Sequence, residues 1–150
     1  MEVKETMSPK ITAYTIRTKD TMNSMGKYIG KLFSSLRKEK LQFGGTVLCM
    51  YHEIPEDNKP CDFEMGVSLK GNIPQNNPNI KTIGGMKCLT IQHKGSYSKL
   101  RISYDFIRNH IRQNKIDVIG APFEIYTRGP ILGFIMIPSL LVTDIYFPVK

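Results

Sequence analysis

Along the chain, apolar positions change period in a set order, and the order occurs twice. Residues 11–17 and 87–94 are rich in β-branched side chains and run into turn-prone polar residues, which predicts a strand in each place. Between 22 and 39 the apolar residues Met25, Ile29, Leu32 and Leu36 recur at i, i+4, i+7 and i+11. Between 97 and 114 Leu100, Tyr104, Ile107 and Ile111 repeat that spacing. Each set falls on one side of an α-helix, so each helix has one face to bury. Asp20, Thr21 and Ser96 are the N-cap candidates, while Gly26 and Gly30 weaken the first helix by about 1 kcal/mol each. Two further strands are predicted after each helix: 46–53 with 62–69, joined by the polar loop 54–61, and 123–128 with 143–149. Residues 70–86, rich in Asn, Pro and Gly, read as the connection between halves.

Sliding the sequence against itself by 75 residues makes the repetition explicit. Thr15 falls on Thr90, Ile16 on Ile91, Arg37 on Arg112, Lys40 on Lys115, Gly45 on Gly120, Tyr51 on Tyr126 and Pro55 on Pro130. Apolar positions coincide as well, Leu32 with Ile107, Leu36 with Ile111 and Met50 with Ile125, as two halves burying the same faces require. The expected fold is α+β: tandem pseudo-symmetric βαββ repeats, about 10–70 and about 87–150, within one domain spanning 1–150. Antiparallel sheets would carry both helices on one side, and a central ligand cleft would lie between the repeats.

Composition narrows the class. A 150-residue chain that is 41% apolar and 23% charged can form one core, and its 12 Gly and 9 Pro exclude a collagen-like fibre. Cys49, Cys61 and Cys88 are odd in number and lack C-x-x-C spacing, which implies neither a disulfide framework nor a zinc cage. His52, His93 and His110 show no ligand spacing, so no metal or other cofactor is expected, and His93 reads as a turn residue. Without an apolar stretch near the N-terminus, the expected location is the cytoplasm. Residues 131–142 are uncharged and apolar, but a membrane-spanning helix needs about 20 such residues and Pro138 interrupts these. They are expected to form a lid or a dimer contact. The +8 balance rests largely on helical lysines and arginines such as Lys27, Lys31, Arg108 and Arg112. With no recognition motif and no interleaved aromatics, direct DNA binding is not expected. A phosphorylated or acidic protein partner is compatible with that charge, and a homodimer with the apolar stretch 131–142.

The candidate chemistry lies in the last strands of each half. Strand alternation puts Glu124 and Tyr126 on one face of 123–128, and Asp144 and Tyr146 on one face of 143–149. If those faces coincide in a hairpin, two carboxylates and two phenols converge. In the first half Cys49 stands where Glu124 does and Tyr51 where Tyr126 does. With Glu64 matched to Asp144, Gly66 stands opposite Tyr146 and is expected to open space.

The stretches CLTIQHKGSYSKL at 88–100, FEIYTRGP at 123–130 and TDIYFPVK at 143–150 resemble the GyrI-like effector-binding domain of multidrug-responsive bacterial transcription activators. The resemblance covers nearly the whole chain. It implies a fold of two βαββ repeats around a ligand cleft, with Glu124 as the buried acid that meets hydrophobic or cationic aromatic ligands and Asp144 and Tyr146 nearby. Here Asp144 replaces the more usual Glu. In the activators a helix-turn-helix module precedes this domain. None fits ahead of a first strand at about Ile11, so a free-standing member is expected.

Within such a site Tyr126, Tyr146, Tyr51, Cys49 and Gly66 would join Glu124 and Asp144 in contacting a ligand. Burial among aromatic walls and a second acid nearby would raise at least one carboxyl above its usual range. Some free-standing members resemble hydrolases of cyclopropane-containing DNA-alkylating compounds. In that role Glu124 would be a general base, with Tyr126 or Tyr146 donating to the leaving oxygen. Another group is linked to protection of DNA gyrase.

Overall fold

The two amphipathic segments are 14-residue helices, α1 (Met25–Lys38) and α2 (Leu100–Gln113), each entered through a single 3₁₀ turn. In this computed structural model, which describes residues 1–128 and 142–150, eight strands accompany them. These are β1 (Lys4–Met7), β2 (Lys10–Asp20), β3 (Gln42–Tyr51), β4 (Cys61–Lys70), β5 (Ile80–Gly84), β6 (Lys87–Lys94), β7 (Phe123–Arg128) and β8 (Val142–Pro148). The apolar stretch 131–142 falls almost wholly outside the described residues, and with it the expected lid or dimer contact.

The chain divides into two compact α+β units, residues Lys10–Gly84 and residues Met1–Pro9 with Gly85–Lys150. The first unit is an antiparallel sheet ordered β3-β4-β2-β5 with α1, and the second is an antiparallel sheet ordered β1-β6-β8-β7 with α2. Two strands extend the expected βαββ pattern. Within 70–86, expected to be connection only, β5 pairs with β2, and the N-terminal β1 pairs with β6. Both are short edge strands, too brief to show a period-2 pattern.

Each helix covers one face of its own sheet. In the first unit Tyr28 meets Phe63 edge to face, with ring centroids 5.8 Å apart. Tyr28, Leu32 and Leu36 form the buried stripe, whereas Met25 and Ile29, expected in it, are only half-buried. Tyr28 can sit there because its hydroxyl donates to Asp20 Oδ2 at 2.8 Å, so the ring is buried while its polar end is satisfied. In the second unit Ile107 packs into a core of Leu89, Ile91, Ile145, Phe147 and Val149, with Leu100, Tyr104 and Ile111 against it. His93 is a buried strand residue rather than a turn residue. Its Nδ1 lies 2.8 Å from Ser103 Oγ on α2 and its Nε2 lies 2.9 Å from the Ser96 carbonyl.

Both helices end the same way. Lys40 and Lys115 adopt left-handed backbone (φ 56° and 52°), and the next amides, Leu41 and Ile116, return to the carbonyls of Leu36 and Ile111. This is a Schellman closure, and it explains why Lys40 and Lys115 fall in register. The expected N-caps do not act on the helices: Ser24 precedes α1 without a side-chain cap, and Asp20 accepts from the Thr21 amide instead.

Gly30 sits on the exposed side of α1, with open space where a Cβ would be. Gly30→Ala should therefore stabilise the protein by about 1 kcal/mol, read as a rise in the denaturant midpoint at unchanged slope. A neutral or lower midpoint would mean that this face of α1 is covered.

Candidate functional site

The register of β7 on β8 decides which side chains meet. Glu124 lies opposite Ile145, Tyr126 opposite Thr143, Phe123 opposite Tyr146 and Ile125 opposite Asp144. Ile145 belongs to the core beneath α2, so Glu124 and Tyr126 point to the helix side of the sheet. Asp144 and Tyr146 point to the other side. The expected convergence of two carboxylates and two phenols is thus corrected: the register pairs each acid with an isoleucine, and the two sets stand on opposite faces.

On the helix side, Glu124 is only 1% exposed. A buried carboxylate needs donors, and two phenols supply them. Tyr126 donates to Oε2 at 2.6 Å, and Tyr104, from α2, donates to Oε1 at 2.7 Å. The Tyr104 ring meets Phe147 edge to face at 6.0 Å and carries the Arg108 guanidinium 5.3 Å from its centroid. Tyr104 enters the sequence pattern only as a member of an apolar stripe. Its signal was a hydroxyl on a buried helix face, which must find an acceptor. In the first unit Cys49 and Tyr51 hold the positions equivalent to Glu124 and Tyr126. They lie opposite Met65 and Phe63 and are buried on the helix side.

The open side differs. Asp144 accepts from Gln92 Nε2 at 3.0 Å and Thr127 Oγ1 at 3.3 Å. Tyr146 stacks on Phe123 at 5.1 Å and 17°. Burial pushes its phenol up, and the Asp144 charge adds to the rise. Asp144 and Tyr146 border a groove of about 750 Å³ that also includes Thr90, Gln92 and Lys94. Tyr146 therefore does not share a face with Glu124 and Tyr126, and the three do not form one catalytic constellation. Gly66 opens no space either: a Cβ there would lie 3.0 Å from both Leu48 Cδ1 and Thr15 Cγ2, so its neighbours already fill the position.

A second buried acid escaped the sequence reading. Glu64, on the open side of the first unit's sheet, is 1% exposed. It accepts from Thr15 Oγ1 at 2.6 Å, lies 2.9 Å from His52 Nε2 and pairs with Lys81 Nζ at 2.5 Å. Burial opposes its charge, but the Lys81, Thr15 and His52 contacts together outweigh burial and hold the carboxyl below its usual value. Lys81 is on β5, the strand hidden in the expected connection, which is why the network was not legible. Among the described residues no three His, Cys, Asp or Glu side chains gather as a metal-ligand set, and no helix is long and apolar enough to cross a membrane.

With this geometry in place, the comparisons are direct. Residues 1–150 match the GyrI-like small molecule binding domain, and the chain belongs to that family. No curated protein sequence matches it. The crystal structure of the EcmrR C-terminal domain superposes with a TM-score of 0.83 at 22% identity, over 99% of this chain and 97% of that one. EcmrR in its DNA-bound complex gives the same score, and the present chain spans 57% of that longer chain. A hydrolase encoded by lin2189 from Listeria innocua superposes at 0.66 with 10% identity, over 99% and 92% of the two chains. SAV2435 bound to tetraphenylphosphonium superposes at 0.56 with 16% identity, over 100% and 94%. At these identities the likeness establishes the α+β fold.

Proposed function

We propose that the protein binds hydrophobic, cationic aromatic compounds around Glu124, in a regulatory or drug-resistance role. The observation that supports this reading is a fully buried carboxylate whose two oxygens are held by two phenols, Tyr104 and Tyr126. An anion placed among aromatic rings attracts an apolar cation twice, by charge and through the ring faces, while it discriminates against neutral compounds of the same shape. The tetraphenylphosphonium bound by SAV2435 is a compound of this class.

Calorimetric titration with tetraphenylphosphonium tests it. Glu124→Gln keeps the shape and removes the charge, and it should weaken binding by about tenfold or more, the equivalent of one lost charge contact. Equal affinity in both proteins would remove Glu124 from the site.

A second reading, hydrolysis of reactive cyclopropane-containing compounds, draws on the 2.6 Å contact between Glu124 and Tyr126 and on the hydrolase among the structural neighbours. In it Glu124 would activate water and a phenol would donate to the leaving oxygen. Turnover beyond one equivalent that is abolished by both Glu124→Gln and Tyr126→Phe would establish this reading in place of simple binding.

A further inference from the structure

The two units carry the same strand framework, and their open faces can be compared position by position. Arg17 lies opposite Glu64 in the first unit and Gln92 opposite Asp144 in the second. Edge strand β5 sets Lys81 opposite Ala13, and edge strand β1 sets Thr6 opposite Cys88 at the equivalent place. His52, which touches Glu64, has Thr127 as its counterpart, which touches Asp144. The acid is kept in both units, and its partners change kind. In the first unit an ammonium, Lys81 Nζ, sits on the carboxylate at 2.5 Å. In the second unit the counterparts are all neutral: Gln92 for Arg17, Thr127 for His52 and Thr6 for Lys81. Among the described residues, Asp144 takes hydrogen bonds only from Gln92 and Thr127.

That second face is also where the groove lies. Its volume of about 750 Å³ is within the range of roughly 300–1,000 Å³ that small-molecule sites occupy. Three acids, Glu2, Glu5 and Asp144, line it against two lysines, Lys4 and Lys94. Lys4 is matched by Glu2 at 4.0 Å, and Glu5 by Lys87 at 3.0 Å. Among the described residues Asp144 is the groove acid that makes no ion pair, and Tyr146, two residues on along the same face, stacks on Phe123.

The geometry points to a second ligand site in this groove, on the opposite side of the sheet from Glu124, that takes the primary ammonium of a small organic amine on Asp144. Lys81 on Glu64 is the protein's own example of the bound state. A direct contact of that length requires an N–H donor, so the site selects primary amines over quaternary ammonium or phosphonium ions. This distinguishes it from the apolar-cation reading of Glu124.

The test is a titration of the whole chain with n-butylamine, an analogue of the lysine side chain, followed by backbone amide NMR. Saturable shifts at Thr90, Gln92 and Tyr146 are expected, and Asp144→Asn should weaken them about tenfold or more. Lys81→Thr leaves the buried Glu64 carboxylate without its ammonium, at a cost in stability, and in the folded variant should create a second saturable set around Thr15 and Glu64. Glu124→Gln should leave the amine response intact, so failure here and failure at Glu124 are read separately. The inference is overturned by the absence of saturable shifts around Asp144, by an unchanged response in Asp144→Asn, by no gain in Lys81→Thr, or by equal shifts with tetramethylammonium.

Discussion

Ile107→Ala should destabilise the protein by about 3 kcal/mol, within the range of roughly 2–5 kcal/mol for truncating a fully buried isoleucine. Ile107 is 0% exposed and is the α2 residue at the centre of the second unit's core, where Leu89, Ile91, Ile145, Phe147 and Val149 close around it. Four of those neighbours are fixed by the β6–β8 register and Val149 by its bridge to Val118, so they cannot move in to fill the space left by three carbons. For a chain of this size the loss corresponds to a fall in melting temperature on the order of 10 °C. The site should feel it too. Tyr104 lies one helical turn before Ile107 and reaches Glu124 only while α2 is docked, so affinity for a ligand at Glu124 should fall together with stability. Ile102→Ala provides the contrast: the same chemistry on the same helix at a position 59% exposed, with an expected change within about 0.5 kcal/mol. Chemical denaturation of both variants checks the pair. Similar small losses would mean that α2 is not held through Ile107.

The architecture was legible wherever a segment was long enough to show its period. The helices, the six longer strands and the 75-residue repeat follow from spacing alone, because one face of each must be buried and only the right period puts apolar residues there. The faces of the site were not legible. Alternation fixes that Glu124 and Tyr126 lie together, but whether they share a side with Asp144 depends on a register that two strand patterns do not contain, and a one-residue change in pairing reverses the answer. The buried pair of Glu64 and Lys81 was hidden for a related reason. Five residues, Ile80–Gly84, form a strand through pairing with β2 and not through any pattern of their own. Gly66 shows the limit of composition: a glycine looks like space until its neighbours are known, and here Leu48 and Thr15 occupy it.

Glu64→Gln should cost about 2–3 kcal/mol at pH 7 and should change the shape of acid unfolding. Removing one partner of a buried ion pair costs roughly 3–5 kcal/mol when the remaining charge has nowhere to go. The cost is lower here because the Lys81 side chain is 45% exposed and can turn to water. The glutamine oxygen in place of Oε2 still accepts from Thr15 and Lys81, but the charge that held the ammonium is gone, and the amide nitrogen then stands where Oε1 met His52 Nε2, a donor in place of an acceptor.

The pH dependence follows from the sign of the shift. Glu64 titrates lower in the folded protein than its ordinary value of 4.5, so its charged form is favoured by folding. The stability it contributes is fully present above 4.5 and is lost as pH falls through the lower folded value, because the native state must then take up a proton that the unfolded chain already holds. Asp62, held low by the Arg17 guanidinium, and Asp20, held low by the Tyr28 hydroxyl, lose stability in the same direction, but in both proteins, so their losses cancel in the difference. Denaturation across the acid range should therefore show wild type and Glu64→Gln separated at neutral pH and converging below 4.5. A gap that persists unchanged into acid would mean that the Glu64 charge contributes nothing to folding and that the variant acts through packing alone.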